Sequence, residues 1–256
     1  MAKIRVLILG GTSEARALAQ MLSKRAGFDI LLSLAGRTEK PSIQPVPVRI
    51  GGFGGAEGLA SFLRDGGFDL LVDATHPFAA RISTNASAAA RLSKIAALAL
   101  RRPEWIERPG DIWTASRNIP QAIAALGPVA RRVFLAIGRQ EAHYAEAAAH
   151  HFYLVRSVDP VTPPLNIANV EYILDRGPFD AEGEAALLAS HRIDAIVAKN
   201  SGGAATYAKI VAARHLGIEV FMIARAPAPA MAAVETVEKA LDVIGHLFPP
   251  AMERGV

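Results

Sequence analysis

The stretch IRVLILGGTSEARALA, residues 4–19, is the part of the chain from which its fold is inferred. Its opening is mostly apolar and β-branched, which is typical of a parallel strand buried on both faces. Gly10 and Gly11 interrupt this run, and from Ser13 the apolar residues recur with a helical period. A strand, a glycine turn and a helix N-terminus together form a common anion site, because backbone N–H groups and the helix dipole favour a phosphate there.

The glycine pattern differs from the dinucleotide fingerprint at one position. That fingerprint has Gly at its first, third and sixth positions, and Ala can replace the last. Here the three positions hold Gly10, Thr12 and Ala15, so the middle glycine is missing. The stretch alone leaves two interpretations open, a nucleotide-phosphate site or a plain strand-to-helix turn of an α/β domain.

The composition limits the class of protein. The chain has 256 residues, 51% hydrophobic and 20% charged, as expected for a well-packed globular protein. No apolar run approaches the roughly 20 residues of a membrane span, and no signal-peptide pattern is present. The absence of cysteine excludes disulfides and thiolate metal sites and suits a cytoplasmic protein. The adjacent His150 and His151 would face different ways on a helix, so we predict no metal site.

The charge pattern favours small anionic ligands. The formal net charge is +4, the basic residues form no run, and only 6% of the residues are aromatic. Nucleic-acid binding, which uses basic clusters and stacking aromatic rings, is therefore not predicted. A scattered positive surface suits phosphates or carboxylates.

Strand and helix patterns alternate along the chain, which predicts parallel sheets covered by helices. Residues 1–100 form a first half of this kind. Residues 101–115, with two prolines and both tryptophans, are predicted to be the junction. Residues 101–256 form a second half of similar architecture, whose last helix is predicted over 232–247.

Polar and glycine-rich loops follow the predicted strands, where open α/β sheets bind their ligands. Arg37 and Thr38 follow the second strand, where NAD enzymes carry an acidic residue for the ribose hydroxyls. Arginine at this place can pair with the 2′-phosphate of NADP, and a solvated surface arginine is the alternative. Residues 51–55 include four glycines, which indicates either a close wall for a nucleotide or a flexible loop.

Two further loops combine polar groups with potential proton donors. Asp73, Thr75 and His76 end a strand, and Pro77 favours an extended conformation at His76. This loop can bind a ligand, or Asp73 can cap the next helix while His76 is structural. Lys199–Gly203, KNSGG, follows a strand of the second half and can hold a phosphate or a carboxylate.

Several arginines lie at or near predicted strand ends. Together they can form a basic wall for a polyanionic substrate, although each taken singly is an ordinary surface charge. They are Arg101, Arg102, Arg139, Arg156 and Arg225.

Five motifs together resemble the precorrin-6A reductase family. They are GGTSEARALA at 10–19, IGGFGG at 50–55, DATHPFA at 73–79, RPEW at 102–105 and KNSGG at 199–203. The resemblance runs in order over almost the whole chain. It implies two Rossmann-like domains with parallel sheets flanked by helices and the active site in the cleft between them. It also implies NADPH-dependent reduction of a double bond of the precorrin-6A macrocycle, giving precorrin-6B in cobalamin biosynthesis.

The resemblance implies a role for each loop toward NADPH and the polycarboxylate tetrapyrrole. The implied cofactor-binding residues are Gly10, Gly11, Thr12, Ser13, Glu14, Arg37, Thr38, Gly51, Gly52, Phe53, Gly54, Asp73, Ala74, Thr75, His76, Lys199, Asn200, Ser201 and Gly202. The dispersed arginines would meet the substrate carboxylates. No motif position fixes a catalytic acid, and the candidates for proton donor are His76, Lys199 and Tyr207.

Two other functions and three properties stay open at this point. The chain could be a non-catalytic NADP-binding sensor module, or a tetrapyrrole methyltransferase that uses S-adenosylmethionine, against which Arg37 argues. The sequence leaves open whether the substrate contains cobalt and which arginines contact it. It is compatible with a monomer or a small homo-oligomer.

Overall fold

The computed structural model describes residues 3–36 and 43–249. These residues form two compact units, which we call the first and second domains. The first domain combines the chain up to Arg102 with the segment that starts at Ala226, and the second domain is Pro103–Arg225.

The elements are numbered here in chain order. The strands are β1 Ile4–Leu9, β2 Phe28–Leu34, β3 Val48–Ile50, β4 Leu70–Asp73, β5 Ala96–Leu100, β6 Trp113–Ser116, β7 Arg132–Ala136, β8 Phe152–Ser157, β9 Val170–Leu174, β10 Ala195–Lys199, β11 Glu219–Ile223 and β12 Ala233–Val234. The α-helices are α1 Ser13–Ser23, α2 Ala56–Asp65, α3 Ala80–Ser93, α4 Ile119–Ala125, α5 Ala181–Ser190, α6 Ala208–Leu216 and α7 Val237–Leu247. A 3₁₀ helix covers Arg139–Ala148.

The first domain contains a six-stranded sheet in the order β12-β5-β4-β1-β2-β3. All of its strand pairs are parallel. Counted from β1, this is the doubly wound order of dinucleotide-binding domains, with β12 in place of the sixth strand. The outer strand is therefore supplied by the C-terminal segment of the chain.

The second domain repeats this order in its own six-stranded parallel sheet, β6-β11-β10-β7-β8-β9. Here β7 takes the place of the first strand and β6 that of the outer one. The outer strand thus precedes the rest of its domain, whereas in the first domain it follows. The predicted fold class, two α/β domains with parallel sheets flanked by helices, is confirmed.

The structure differs from the predicted domain limits at the C-terminal end. The segment from Ala226 packs with the first domain, where β12 pairs with β5, and does not belong to the second domain as 101–256 implied. The predicted helix over 232–247 begins only at Val237, because Ala233 and Val234 are in the strand β12. The segment after β7 forms a 3₁₀ helix.

The core of the first domain lies on both faces of its central strand. Residues 6–9 of β1 are at most 1% exposed. The predicted helical face of α1, made of Ala15, Leu18, Ala19 and Leu22, is confirmed as buried. In the second domain the largest enclosed side chains are Phe134, Tyr153 and Phe221.

Residues 3–36 and 43–249 contain neither a membrane-spanning helix nor a cluster of metal ligands. No helix in these ranges is long and apolar enough to cross a membrane. No cluster of three or more metal-ligating side chains occurs within the same ranges.

Candidate functional site

The strand order of the first sheet changes direction between β1 and β4. Open parallel sheets bind ligands beyond the carboxyl ends of the strands at such a point. The loop Gly10–Thr12 follows β1, and the loop Ala74–Ala79 follows β4. The Thr12 hydroxyl joins these loops, because it donates a hydrogen bond of 2.8 Å to the Ala74 carbonyl.

Thr12 also explains the missing glycine of the fingerprint. It is the N-cap of α1, and its Oγ1 accepts a hydrogen bond of 3.1 Å from the Ala15 N–H. Gly11 before it has φ of 118°, a conformation that favours glycine. The Thr12 side chain therefore stabilises the start of α1. An anion would bind to the first-turn N–H groups of this helix.

Glu14 and Arg102 form an ion pair beside this turn. Nη1 of Arg102 lies 3.2 and 3.0 Å from the two carboxylate oxygens of Glu14. Burial raises the pKa of Glu14, but Arg102 and hydrogen bonds from the Glu14 backbone and Ser13 together lower it, so Glu14 is ionised at neutral pH. The pair lines a small crevice with Thr12 and Thr75. Arg102, predicted to bind substrate, thus lies beside the predicted phosphate-binding turn.

Asp73, the last residue of β4, is 2% exposed. Its Oδ1 accepts hydrogen bonds from the Thr75 N–H at 3.2 Å and from the Thr75 hydroxyl at 2.7 Å. Its Oδ2 is buried and has no hydrogen-bond donor in the described part of the chain. Helix α3 has no side-chain cap, which excludes the alternative that Asp73 caps it. A buried carboxylate oxygen of this kind is a strong acceptor site for a ligand donor.

His76 is half-buried in the same loop. Its Nδ1 accepts a hydrogen bond of 3.2 Å from the Phe78 N–H. In the neutral imidazole the proton then lies on Nε2, which makes this nitrogen a donor. The first domain thus brings together the predicted residues of the two loops that follow β1 and β4.

The loop 51–55 follows β3 in this domain, and an unpredicted residue holds it in place. Arg49 donates hydrogen bonds of 2.6 Å to the carbonyls of Gly51 and Gly52. Its guanidinium lies 3.9 Å from the centre of the Phe53 ring. The glycine loop is therefore held by side-chain contacts, which does not fit the flexible-loop alternative. No local sequence pattern pointed to Arg49.

Three further residues of the first domain, Arg37, Thr38 and Arg101, were predicted to bind the cofactor or the substrate. Arg37 and Thr38 lie outside the described residues. The backbone N–H of Arg101 bonds to the Val234 carbonyl at 2.8 Å, and its buried Nη2 has no acceptor within residues 3–36 and 43–249. Arg101 therefore lies at the edge next to β12, one strand beyond β4.

In the second domain, the corresponding change of direction lies between β7 and β10. Lys199, the last residue of β10, donates a hydrogen bond of 2.8 Å to the Ile137 carbonyl and a second one to Glu141. Both acceptors lie in or next to the loop after β7. The Lys199 ammonium is thus held within its own domain, and its predicted contact with the cofactor stays a prediction.

Asn200 joins the KNSGG and RPEW motifs. Its side chain accepts a hydrogen bond of 2.8 Å from the Trp105 N–H and donates one of 3.0 Å to the Trp105 carbonyl. Asn200 and Ser201 are 6% and 7% exposed. A Cβ atom at Gly202, with φ of 64°, would lie 2.0 Å from the Pro103 carbonyl oxygen. Asn200 and Gly202 thus allow the two motifs to pack closely, and their predicted contact with the cofactor stays a prediction.

The three arginines predicted in this domain have different surroundings. Arg225 donates hydrogen bonds to the Asn200 carbonyl at 2.8 Å and to the Pro103 carbonyl at 3.1 Å, so it supports the same loop packing. Nη2 of Arg139 lies 3.9 Å from the carboxylate of Asp159. Arg139 is the first residue of the 3₁₀ helix that follows β7, and its predicted contact with a substrate carboxylate stays a prediction.

The surroundings of Arg156 contradict its predicted place in the basic wall for the substrate. It is 7% exposed, and it forms a two-pronged ion pair with the buried Glu184, in which Nη2 lies 2.8 Å from Oε2. The rings of Phe134 and Phe179 cover its guanidinium at 4.8 and 3.8 Å. A guanidinium enclosed in this way cannot contact a ligand, so the structure contradicts the predicted role of Arg156 in substrate binding.

Tyr207, the third candidate proton donor, lies next to the motif pair. Its hydroxyl accepts a hydrogen bond of 3.0 Å from Arg214, which Asp111 holds at 2.9 Å. Its ring centre lies 5.6 Å from that of Trp105. The contacts of Tyr207 support the Trp105 segment, and its proposed role in catalysis stays a prediction.

Comparison with known proteins places this arrangement in a family. The family model described as precorrin-6x reductase CbiJ/CobK matches residues 5–245. A precorrin-6A reductase from Sinorhizobium sp. is 58% identical over 98% of this chain and 96% of its own length. One from Rhodobacter capsulatus is 46% identical over 91% of this chain and 93% of its own length.

A solved structure, CobK precorrin-6A reductase, superposes with a TM-score of 0.92 at 44% identity, covering 99% of this chain and all of that one. Reductases of this kind imply a nicotinamide cofactor and a tetrapyrrole precorrin substrate. The sensor and methyltransferase alternatives find no support in these matches. On these grounds the chain belongs to the precorrin-6x reductase CbiJ/CobK family, oxidoreductases of cobalamin biosynthesis that act on a CH–CH group.

Proposed function

We propose that the chain reduces cobalt-free precorrin-6A to precorrin-6B with NADPH. The first domain binds the dinucleotide at the crevice between the loops Gly10–Thr12 and Ala74–Ala79, which follow β1 and β4. The observation that carries this is the buried Oδ2 of Asp73, which has no hydrogen-bond donor among the described residues and lies where the strand order changes direction. A glycine turn, a helix N-terminus and such an acceptor at the carboxyl ends of neighbouring strands suit a dinucleotide.

Each group of the crevice has a distinct task in this proposal. The first turn of α1 receives the diphosphate through its N–H groups, and Arg102 balances the charge of Glu14 beside it. Asp73 accepts a hydrogen bond from a hydroxyl or amide donor of the cofactor. Thr12 fixes the distance between the two loops through its bond to Ala74.

We assign NADPH, and not NADH, on the residues that follow β2. The strand ends without an acidic residue, and Arg37 and Thr38 come shortly after it. An acidic residue at this place would hold the ribose hydroxyls of NADH and repel a 2′-phosphate, whereas arginine pairs with that phosphate.

The choice of cobalt-free substrate rests on the identities of the relatives. Five matches named precorrin-6A reductase are 44–58% identical to this chain. Three matches named cobalt-precorrin-6A reductase are 27–28% identical. The chain is therefore much more similar to the enzymes named for the metal-free macrocycle.

Bound NADPH supplies a hydride to the macrocycle, and the reduction also consumes one proton. Of the candidate donors, His76 lies in the cofactor loop, and its Nδ1 is engaged with the Phe78 N–H. Its Nε2–H is thus the group we assign to deliver this proton. Arg139 is the arginine of the second domain that we assign to a substrate carboxylate.

The test is a turnover assay with both forms of the substrate. We expect the purified chain to convert precorrin-6A to precorrin-6B with oxidation of one NADPH, and to convert cobalt-precorrin-6A much more slowly. Equal rates would contradict the assignment of the metal-free substrate. Turnover with NADH as efficient as with NADPH would contradict the cofactor assignment while leaving the reductase function intact.

A further inference from the structure

Arg49 lies at the carboxyl end of the first domain's sheet, on the strand β3. Its register partner on β2 is Ser33, and its Nη1 lies 3.4 Å from the Ser33 hydroxyl. Nη1 also donates to the Gly51 carbonyl and Nη2 to the Gly52 carbonyl, both at 2.6 Å. One guanidinium thus binds two successive carbonyls of the glycine loop and the end of the neighbouring strand.

Aromatic rings fix the guanidinium in this position. The Phe53 ring centre lies 3.9 Å from Cζ of Arg49, and the Phe62 ring centre lies 5.1 Å from it. Phe62 in turn stacks on Phe68 with ring centres 5.6 Å apart. Cation–π contacts of this kind add to the hydrogen bonds and restrict the long side chain to one conformation.

These contacts decide which way the loop presents its N–H groups. In a trans peptide the N–H points opposite to the C=O. Because the carbonyls of Gly51 and Gly52 face the guanidinium, the N–H groups of Gly52 and Phe53 face away from it. Helix α2 holds the other end of the loop, since a Cβ atom at Gly58 would lie 1.7 Å from the Phe53 carbonyl oxygen.

We propose that Arg49 is a positioning residue for the cofactor, which holds residues 51–54 so that the N–H groups of Gly52 and Phe53 meet the adenosine half of NADPH. This inference rests on the proposed function. In a doubly wound sheet, β1, β2 and β3 form one of the two mononucleotide-binding halves, and a residue after β2 reads the adenosine ribose. The loop after β3 borders that half.

The experiment compares Arg49→Met and Arg49→Lys with the wild type, with Arg64→Met as the matched control. Arg64 lies on the neighbouring helix α2 and makes one long bond of 3.4 Å to the Leu92 carbonyl. For Arg49→Met we expect the KM for NADPH and the Kd for adenosine 2′,5′-bisphosphate to rise about tenfold, while kcat at saturating NADPH stays within about twofold. Arg49→Lys keeps the charge and can reach one carbonyl, so its KM and Kd should lie between those of the wild type and those of Arg49→Met. Arg64→Met should match the wild type.

The outcomes separate this inference from the proposed function. Failure of the wild type to bind either ligand contradicts the proposed NADPH site itself. Binding by the wild type with unchanged KM and Kd in Arg49→Met overturns the role of Arg49. If the Tm of Arg49→Met is far below that of the wild type, the Arg49→Lys protein is used for the comparison. An Arg49→Lys protein with a normal Tm and an unchanged KM for NADPH overturns the inference. An Arg49→Lys protein with a raised KM for NADPH and an unchanged kcat supports it.

Discussion

At the scale of single residues, Asp73 combines a cost in stability with a proposed role in binding the cofactor. Its Oδ1 is satisfied by Thr75, whereas its Oδ2 is enclosed without a donor in the described residues. Such an arrangement opposes folding of the free protein and persists where a ligand compensates for it. The sequence indicated that Asp73 lies at a strand end, but it could not show which oxygen the fold leaves unpaired.

Replacing Asp73 with Asn separates these two effects. We expect the Asp73→Asn protein without ligand to be as stable as the wild type or more stable by about 1 kcal/mol, since a neutral amide replaces a buried carboxyl group whose Oδ2 has no donor among the described residues. The Kd for NADP⁺ should rise about tenfold or more, because the acceptor becomes an amide. Thermal melting with and without NADP⁺ measures both quantities.

The control for this change is Asp69→Asn, at the opposite end of the same strand. Asp69 accepts a hydrogen bond of 2.8 Å from the Arg5 N–H, far along the strand from the crevice. Its replacement should leave the NADP⁺-induced rise in Tm unchanged. A destabilised Asp73→Asn protein that binds NADP⁺ normally would show that Asp73 is a structural residue only.

His151 provides a prediction about pH at the same scale. It is fully buried, its Nδ1 accepts a hydrogen bond of 3.1 Å from the Arg131 N–H, and burial together with His150 and Arg131 lowers its pKa below 6.5. The neutral form is therefore favoured by the fold. This contribution to stability is complete above the unfolded pKa of 6.5 and is lost as the pH falls from there toward the lower native pKa.

Urea unfolding at pH 7.5 and at pH 5.5 checks this prediction. The wild type should lose more stability between these two values than His151→Asn, in which an amide can accept the Arg131 N–H without titrating. An equal loss in both proteins would show that other groups dominate the acid dependence.

At the scale of elements, local sequence signals predicted the strands and helices that surround the site. The periodicity of 13–22 gave the buried face of α1, and the glycine turn gave its start. Thr12 replaces the middle glycine of the dinucleotide fingerprint, and its side chain accepts the Ala15 N–H as the N-cap of α1. This replacement therefore preserves the strand–turn–helix unit. The two-residue strand β12 was missed, because the alanine- and proline-rich residues before it carry no strand pattern.

The buried ion pair between Arg156 on β8 and Glu184 on α5 allows a test of whether Arg156 is structural or binds substrate. Removing one partner of a buried ion pair leaves the other uncompensated, so Arg156→Met should lower the free energy of unfolding by about 3–5 kcal/mol. The double variant Arg156→Met/Glu184→Leu should recover much of this loss. The KM for precorrin-6A should stay within about twofold in whatever fraction remains folded.

Denaturant unfolding and steady-state kinetics on the same preparations give the two quantities. A stable Arg156→Met protein with a strongly raised KM for precorrin-6A would restore the original assignment of Arg156 to the substrate.

At the scale of the whole molecule, the chain builds the same strand order twice but takes the outer strand from opposite ends. The strand after β5 along the chain is β6, which belongs to the second domain, and β12 returns to the first. Consecutive strands are usually neighbours, so a sequence interpretation assigns the C-terminal segment to the domain that it follows. Neither the composition nor the periodicity of these strands specifies which sheet an outer strand joins.

The two domains share a strand order but differ at the turn after their first strand. In the first domain a glycine turn leads into an α-helix, whereas in the second the chain enters a 3₁₀ helix and Lys199 bonds to the loop. The glycine turn and α-helix N-terminus that we propose to bind the diphosphate are therefore not repeated after β7, the corresponding strand of the second domain. We accordingly expect one dinucleotide to bind per chain.

A fluorescence titration of the purified protein with NADPH, repeated with NADH and with the Arg37→Ala variant, tests whether the first domain binds NADPH through its 2′-phosphate. We predict saturation at one NADPH per chain, with NADPH bound about ten- to a hundredfold more tightly than NADH, and loss of this preference in Arg37→Ala because one charge-assisted bond to the 2′-phosphate is removed. Equal affinity for the two cofactors in the wild type would contradict recognition of the 2′-phosphate, and binding of neither would contradict the proposed NADPH site.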